Sequence, residues 1–506
     1  MKTVSSSLII IIFLFAIVAT SSSTATASNI DNNSKKKKNQ KIRGVRGGIK
    51  EEDSRRRILK GDKDNTDVDT TLPTSNCKDI TSTISAGVVL QTNLLVEDHE
   101  CIILENVVVS GSITIGQGGR LLLYSGATVK GDVIVDGSST YIYAVNDSTI
   151  EGMLSVLPQS KVDQLNIDGP VLGGITIEDT YVTGFIYISN SDNAPNGGAI
   201  VGGAIYMKNV EIEGYINLDT WQQTDSIYLE NINFINVDNL PIRIGHTMRD
   251  ADVTLKSITG VQNFSLEVKA FKENNVNVYV DNVVATNDAY FYLYDGCSGE
   301  VGLVCGKPSA DVYVSNLEVG NDAFFQGTRT GHLHIKDSHA PKIFSVTVSN
   351  AESITFDNVL AEGVVSISST TVKDGDVKIK NCHYSNDSID VTKVAYGFIS
   401  ILLENLEIDN GNLVVEKVTT SADMTEQVDI TVIDNTVKGE SKDIKLKDND
   451  ITGKMSIYRN NIFGNGGYLI VDGNTIGMNF AMENNPITGS GGGLVWIDNT
   501  AGSYTL

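Results

Sequence analysis

Two histidines separated by one residue, His332 and His334, form the pattern in this sequence that most resembles a metal site. On a β-strand alternate side chains lie on one side, so both imidazoles would face outward while Leu333 and Ile335 are buried. Imidazole nitrogens and carboxylate oxygens are zinc ligands. Because two outward histidines also suit an ordinary wet surface, the sequence predicts no metal or cofactor here, and the pair stands only as a candidate.

Aspartate and asparagine residues at the predicted turns offer a second kind of site. Their oxygen atoms could bind Ca²⁺. The same side chains commonly form hydrogen bonds with the backbone of a turn, and that role needs no ion. Binding of Ca²⁺ at the turns therefore stays open.

A row of aromatic residues is the most informative candidate binding surface. Each ring occupies the outward position of a short motif whose flanking apolar residues would be buried. We predict that Tyr187, Tyr206 and Tyr228 stack into an exposed stripe, which suits sugar rings or hydrated solid surfaces. Stacking for strand stability alone is the alternative. The full set of outward positions is Tyr143, Tyr187, Tyr206, Tyr228, Thr254, Tyr279, Tyr313, His334 and Trp496.

Five cysteines and four glycosylation sequons fit an exported protein. We predict disulfides between Cys77 and Cys101 and between Cys297 and Cys305, because short secreted loops are commonly closed in this way. Cys382 is then left over, and we predict that it is a buried small hydrophobic residue. The sequons begin at Asn32, Asn146, Asn263 and Asn386.

The elements that must position these residues are short repeated strands. One motif reads apolar, any, Gly, any, apolar, any, apolar, and a second reads apolar, any, apolar, any, Asn. Apolar residues at every second position indicate strands with one buried face. We attribute Gly and Asn to turns, because both tolerate the left-handed backbone region. Glycines of the first motif include Gly111, Gly131, Gly152 and Gly173, and the second ends at Asn190, Asn209, Asn231, Asn282, Asn316, Asn358, Asn381, Asn405 and Asn499.

This spacing predicts an all-β fold, a single right-handed parallel β-helix (β-solenoid) over residues 76–506. At about 20 to 25 residues per coil, the segment would form roughly 18–20 coils. An antiparallel sandwich would not require Asn at one phase. A leucine-rich horseshoe would require a Leu consensus and helices, and neither is visible.

With these repeats the chain resembles the right-handed parallel β-helix, pectin-lyase-like superfamily. The turns Asp434-Asn435, Gly473-Asn474-Thr475 and Asp498-Asn499-Thr500 carry the resemblance. Polygalacturonases of that superfamily have Asn-Thr-Asp, Asp-Asp, Gly-His-Gly and Arg-Ile-Lys patterns. Here Asn-Thr-Asp occurs only at residues 65–67, outside the repeats, and the other three are missing. We therefore predict no catalytic residue, although lyases of the superfamily have looser signatures.

The N-terminal residues differ from the repeats. Residues 1–27 predict a signal peptide, with an apolar run from Leu8 to Ala19 and a small-residue cleavage pattern after it. Residues 28–75 predict a disordered basic arm or pro-segment, since Lys35 to Lys63 contains 13 basic and 4 acidic residues. The arm could be cut near Arg57, hold an anionic surface, or serve as a solvated linker.

The signal peptide, the lysine cluster at 35–38 and Arg57-Ile58-Leu59 together resemble the targeting region of silica-wall-associated proteins of the silaffin type. This resemblance implies cleavage at Arg57 and lysine-directed deposition on a mineral wall. The body lacks the Ser/Lys-rich repeats of those proteins.

Charge and composition narrow the function classes. The net charge of −23 argues against nucleic acid as a partner, and no later stretch has membrane-spanning length. We expect a secreted, cell-wall or matrix glycoprotein with a structural or adhesive, non-catalytic role. The alternatives are a polysaccharide lyase and a carbohydrate-binding module. Expected partners are extracellular polysaccharide or a mineral wall surface, and the oligomeric state stays open.

Overall fold

The computed structural model describes residues 81–506 with internal gaps. The chain divides into two units, Met1–Arg57 and Ile58–Leu506, and every described residue belongs to the second. The predicted signal peptide, the basic arm and the Arg57 site lie outside the described residues and stay predictions. Between residues 81 and 506 the gaps are 85–86, 145–147, 190–199, 224, 238–241, 249–251, 271–275, 296–309, 328–329, 349, 362–364, 369–370, 373, 385–388, 393–397 and 419–427.

Two long ladders of parallel strands run through the described residues. In each ladder, one strand pairs with the strand one coil later. The first ladder consists of Thr81–Ile84, Cys101–Glu105, Arg120–Tyr124, Ser138–Ala144, Lys161–Ile167, Ile186–Ser189, Ile216–Gln223, Ile242–Met248, Phe264–Ala270, Ala289–Asp295, Ala323–Gly327, Phe344–Val348, Val365–Ser368, Ile389–Thr392, Leu413–Glu416, Ile444–Lys447, Tyr468–Asp472 and Gly493–Ile497.

The second ladder alternates with the first along the chain. It consists of Leu94–Val96, Ile113–Ile115, Val133–Val135, Leu154–Val156, Ile175–Val182, Ile205–Ile212, Ile227–Val237, Val253–Val261, Val276–Ala285, Ala310–Val319, His332–Lys336, Ser353–Asp357, Asp374–Lys380, Phe398–Glu404, Asp429–Ile433, Met455–Tyr458, Thr475–Glu483 and Thr500–Thr505.

Short strands lie between the two long ladders. They also pair in parallel, or form bridges to longer strands, from coil to coil. They are Val89–Leu90, Val108–Val109, Thr128–Val129, Thr149–Ile150, Ile200–Val201, His339–Ala340, Asn350–Ala351, Leu360–Ala361, Thr371–Val372, His383–Tyr384, Glu407–Asp409, Thr436–Lys438, Asp450–Ile451, Asn461–Phe463 and Ile487–Thr488.

The predicted parallel β-helix is confirmed, because within the described residues each long ladder contains 18 strands, one for each of 18 coils. Within each strand, buried and outward side chains alternate. Ile205 and Met207 are fully buried, whereas Tyr206 between them lies on the outer side. The hand of the coil stays a prediction, since these registers suit either hand. Among the described residues, no helix is long and apolar enough to cross a membrane.

The core is one column of apolar side chains that continues from coil to coil. It is mostly Ile, Val and Leu, with phenylalanines stacked in the middle coils; the rings of Phe291 and Phe325 lie 4.4 Å apart at 9°. Each fully buried aliphatic side chain contributes about 1.5–3 kcal/mol of burial energy. The outer surface is therefore free to carry polar and aromatic side chains.

The chain turns at a corner that lies within the longer strands of the second ladder and directly after its shorter ones. Thirteen corner residues have φ between 47° and 57°, the left-handed region that Asn tolerates. Their side chains also join neighbouring coils: Asn231 Nδ2 donates to Asn209 Oδ1 at 2.8 Å. The predicted role of Asn at turns is thus confirmed. This corner column is Asp179, Asn209, Asn231, Ser257, Asn282, Asn316, Asp337, Asn358, Asn381, Asn405, Asp434, Arg459 and Asn484.

The glycines of the first motif have a different role from the predicted one. Gly131 and Gly152 do not have positive φ, so left-handed backbone does not explain them. They lie on top of each other in successive coils, and a Cβ on Gly152 would be 2.5 Å from the carbonyl carbon of Gly131. Glycine is therefore required here for close approach of the coils.

In the last coils an inward-facing asparagine follows the corner residue. Asn435 and Asn460 are 0% exposed, and both the N–H and Nδ2 of Asn435 donate to Asn460 Oδ1, at 3.1 and 2.9 Å. A parallel column joins Asn474 to Asn499. Near Asn499 the residue with positive φ is Asp498, so the predicted motif is out of phase by one residue there.

This phase shift corrects the expectation for Trp496. A shift of one residue exchanges the two sides of a strand. Trp496 pairs with the buried Val471, and its ring lies 4.5 Å from that of Phe480 at 70°. Trp496 therefore covers the apolar core at the last coil rather than facing outward.

Candidate functional site

The outer side of the second ladder carries two adjacent columns of side chains. The tyrosine column is Thr176, Tyr206, Tyr228, Thr254, Tyr279, Tyr313, His334 and Thr355. The charge column, two residues further along each strand, is Glu178, Lys208, Glu230, Lys256, Asp281, Ser315, Lys336, Asp357, Lys380 and Glu404.

The tyrosines form two stacked pairs. Tyr206 and Tyr228 have ring centroids 5.3 Å apart at 6°, and Tyr279 and Tyr313 have centroids 5.2 Å apart at 13°. Parallel rings this close cannot lie side by side in one plane, so each ring covers part of the face of its partner. The flat aromatic surface expected from the sequence is therefore largely used within each pair.

Thr254 separates the two pairs and leaves a space that we name the tyrosine gap. Its walls are Tyr228 and Tyr279, which are the register neighbours of Thr254 on either side. Two ladder spacings separate these walls, about 9.6 Å. Because stacked rings lie about 4.5–7 Å apart, walls at this backbone spacing would accommodate one flat ring beyond the short side chain of Thr254. Tyr279 is 40% exposed, so this wall is open to solvent.

The charge column alternates in sign along the same coils. Glu230 lies between two lysines, 3.1 Å from Lys208 Nζ and 3.5 Å from Lys256 Nζ. The hydrogen bond from Lys208 lowers the pKa of Glu230, and burial raises the pKa of Tyr228 above its usual 10.0. These charges are thus paired with each other along the face.

The predicted stripe is wrong for Tyr187 and Tyr143, which belong to the first ladder. Tyr187 pairs in register with Asn166 and Asn217, and Tyr143 pairs with Leu122 and Asn166. The apolar-any-apolar motif occurs in both long ladders because both have one buried side. The motif alone therefore cannot identify the ladder.

The first ladder carries a second aromatic cluster that the sequence analysis missed. Tyr290 stacks on Phe324 at 5.4 Å and 16°, and its hydroxyl donates to Asp288 Oδ2 at 3.1 Å. Burial, followed by the nearby Asp288, raises the pKa of Tyr290 to about 12. The alternating Tyr290-Phe291-Tyr292 sequence is a signal that could have revealed it.

The two candidate histidines have different surroundings. His332 forms a histidine–carboxylate group with Asp311 and Glu352, whose ligand atoms all lie within 4.8 Å of one another. His334 is not a member of this group; its ring lies 6.5 Å from that of Tyr313. In place of the candidate pair His332 and His334, the structure thus groups His332 with side chains from neighbouring coils.

Turn carboxylates mainly bind backbone in the coil that follows. Asp429 Oδ1 accepts the N–H of Lys454 at 2.7 Å, and Asp443 Oδ1 accepts the N–H of Tyr468 at 2.8 Å. This is the alternative role that the sequence analysis left open for them. Binding of Ca²⁺ stays a prediction.

The cysteines can be placed in part. Cys101 is 2% exposed, and Cys77, Cys297 and Cys305 lie outside the described residues, so both disulfide pairings stay predictions. Cys382 is 1% exposed, as predicted, and its thiol donates to Lys380 O at 2.9 Å.

One sequon lies within the described residues. Asn263 Oδ1 accepts the N–H of Asp288 at 3.2 Å. Asn32, Asn146 and Asn386 lie outside the described part of the chain, and glycosylation at all four stays a prediction.

Comparisons with protein-family models, with curated proteins and with solved structures find no match for this chain.

Proposed function

We propose that this protein is a secreted structural or adhesive β-solenoid of a cell wall or extracellular matrix, and that it holds polysaccharide at the tyrosine gap. The observation that carries the proposal is the interruption of the tyrosine column at Thr254. On either side of Thr254, Tyr228 and Tyr279 each have a ring face that no tyrosine neighbour covers. A sugar ring inserted between them would contact both.

Polar groups around the gap suit the hydroxyls of a sugar. The charge column places Glu230, Lys256 and Asp281 along one side of it. On the other side Asp252 Oδ1 accepts the side-chain amide of Asn277 at 2.9 Å. Flat apolar walls with flanking hydrogen-bonding groups are the usual composition of a small-ligand site.

A polysaccharide lyase is less well supported by this face. Such an enzyme needs a basic side chain that can take a proton from the substrate. Lys208 and Lys256 both pair with Glu230, and the hydrogen bond to Glu230 raises the pKa of Lys208 further above its usual 10.5. Lys208 is thus poorly suited to act as a base near neutral pH, and Lys256 is already occupied by its ion pair with Glu230.

The decisive variant is Thr254→Tyr, which fills the gap with the residue that its neighbours already use. We expect the secreted protein to keep its fold and to lose binding to a panel of insoluble polysaccharides in sedimentation assays. Tyr290→Ser, which removes a stacked ring from the first ladder, is the matched control and should bind normally. Undiminished polysaccharide binding by Thr254→Tyr, or binding of every variant to silica alone, would refute the proposal.

A further inference from the structure

The histidine–carboxylate group is assembled from three successive coils. His332 pairs in register with Ser353, and Glu352 directly precedes Ser353. Asp311 and His332 directly precede the register partners Val312 and Leu333. One ligand atom from each of Asp311, His332 and Glu352 lies within 4.8 Å of the others. The coil spacing therefore brings together residues that are distant in sequence.

The absence of a side chain at Gly331 allows the carboxylate of Asp311 to lie close to the backbone of His332. Asp311 Oδ1 accepts the backbone N–H of His332 at 2.8 Å, and a Cβ on Gly331 would lie 2.1 Å from that oxygen. The same turn recurs at Gly453, where Asp429 accepts the N–H of Lys454. This arrangement of Gly and Asp is thus not unique to the group, and the difference lies in the residue after the glycine, which is His332 here and Lys454 there.

The imidazole of His332 is held from one side and open on the other. Nδ1 lies 2.7 Å from Ser353 Oγ, while Nε2 lies 3.5 Å from Glu352 Oε2. With bonds of about 2.1 Å, two ligands of a tetrahedral zinc ion lie roughly 3.4 Å apart. The Nε2–Oε2 separation matches that edge, and ligating histidines are typically oriented through their second nitrogen.

We propose that Asp311, His332 and Glu352 bind a divalent transition-metal ion, Zn²⁺ in the first place. Two carboxylates balance the charge of the ion, and water completes the coordination. The imidazole ligand favours such ions over Ca²⁺ and Mg²⁺, which prefer oxygen. This site is independent of the tyrosine gap.

A second histidine beside carboxylates shows why the group is unusual. His383 Nδ1 lies 3.3 Å from Glu407 Oε2, and Nε2 lies 3.9 Å from Asp409 Oδ2. There, however, Lys438 pairs with both carboxylates and supplies the positive charge that a metal ion would otherwise supply. No lysine pairs with Asp311 or Glu352 among the described residues.

The test is titration of the purified, chelator-treated full chain with Zn²⁺ by calorimetry and with Co²⁺ by visible absorption. We expect one equivalent to bind with the absorption of tetrahedral cobalt. His332→Ala and Glu352→Gln should abolish this signal, and Ser353→Ala should weaken binding about 10-fold. His334→Ala and His383→Ala are the matched controls and should bind like the parent.

Two outcomes would overturn the proposal. One is equal affinity in His332→Ala and the parent. The other is equal loss in His334→Ala, which would place the ion elsewhere on the strand. Circular dichroism of each variant excludes loss of binding through unfolding, and Asp311→Asn, which keeps the Oδ1 acceptor for the turn, provides a further folded variant that should bind more weakly.

Discussion

Asn460 Oδ1 accepts two hydrogen bonds from Asn435, one from its backbone N–H at 3.1 Å and one from its side-chain amide at 2.9 Å. Asn460 in turn donates to Val432 O and to Asn485 Oδ1. Both asparagines of the pair are fully buried. The last coils are therefore joined through their interior by side-chain amides as well as by backbone.

Replacing Asn460 by Ala should destabilise the protein strongly. The change leaves the backbone N–H of Asn435 and one N–H of its side-chain amide without an acceptor, while the other amide N–H still donates to Leu403 O. Each unpaired buried donor costs about 1–3 kcal/mol. Urea unfolding followed by fluorescence would measure the loss. The exposed Glu440→Ala in the neighbouring turn is the control and should change the free energy of unfolding by less than about 0.5 kcal/mol.

Replacing Asp322 by Asn should stabilise the protein at neutral pH. Asp322 Oδ1 is buried without a hydrogen-bond partner among the described residues, and burial followed by Asp288 raises the pKa of this carboxyl above 3.8. A raised pKa means that the folded state holds the proton more tightly, so stability falls as pH rises above 3.8. In the second ladder, Asn277 donates its side-chain amide to Asp252 one coil earlier, which is the kind of bond that Asn at 322 could form with Asp288.

The Asp322→Asn variant should gain about 1 kcal/mol in the free energy of unfolding near pH 7, which is the net value of one hydrogen bond. It should shrink toward pH 3, where the parent carboxyl is protonated. Chemical unfolding at several pH values checks both statements. A gain that is the same at every pH would mean that the charge of Asp322 is not its cause.

Replacing Gly152 by Ala should be more damaging than replacing Gly126 by Ala. A Cβ at 152 would lie 2.5 Å from backbone of the preceding coil, so the coils must separate. Gly126 has φ 80°, but a Cβ there would have nothing within 4 Å. Its Ala variant should lose only about 1–2 kcal/mol of stability, because of backbone strain. Thermal unfolding of the two variants compares close approach with backbone conformation directly.

Replacing Cys382 by Ser should leave stability nearly unchanged. Cys382 Sγ donates to Lys380 O and accepts the N–H of Val359, and Ser338 Oγ makes the same two kinds of bond one residue after its own corner. Cys382→Val, which fills the space but offers no acceptor, should cost about 1–3 kcal/mol. If Ser were as damaging as Val, the thiol would have a role other than these bonds.

The period of the sequence was enough to predict the coils, because alternation of apolar residues identifies strands and recurring Asn identifies corners. It could not assign Tyr187 to its ladder, since the same motif serves both. The predicted outward orientation of Trp496 was wrong because the corner residue there is Asp498 rather than the Asn that follows it, and a motif ending in Asn does not reveal this.

The histidine–carboxylate group lay within reach of the sequence. Asp311 precedes His332 by 21 residues, one coil of the predicted repeat. Glu352 follows one coil later, next to Ser353. Both were missed because ligands were sought along the strand of His332 rather than across coils. In a solenoid, residues one period apart are closer partners than many neighbours in sequence.

The alternating charges of Glu178, Lys208, Glu230, Lys256 and Asp281 restrict how this solenoid can change in length. Deletion of one coil, such as the one that carries Glu230, would bring Lys208 next to Lys256. Deletion or duplication of two coils together would keep every contact between opposite charges. Insertions and deletions in this segment should therefore add or remove even numbers of coils.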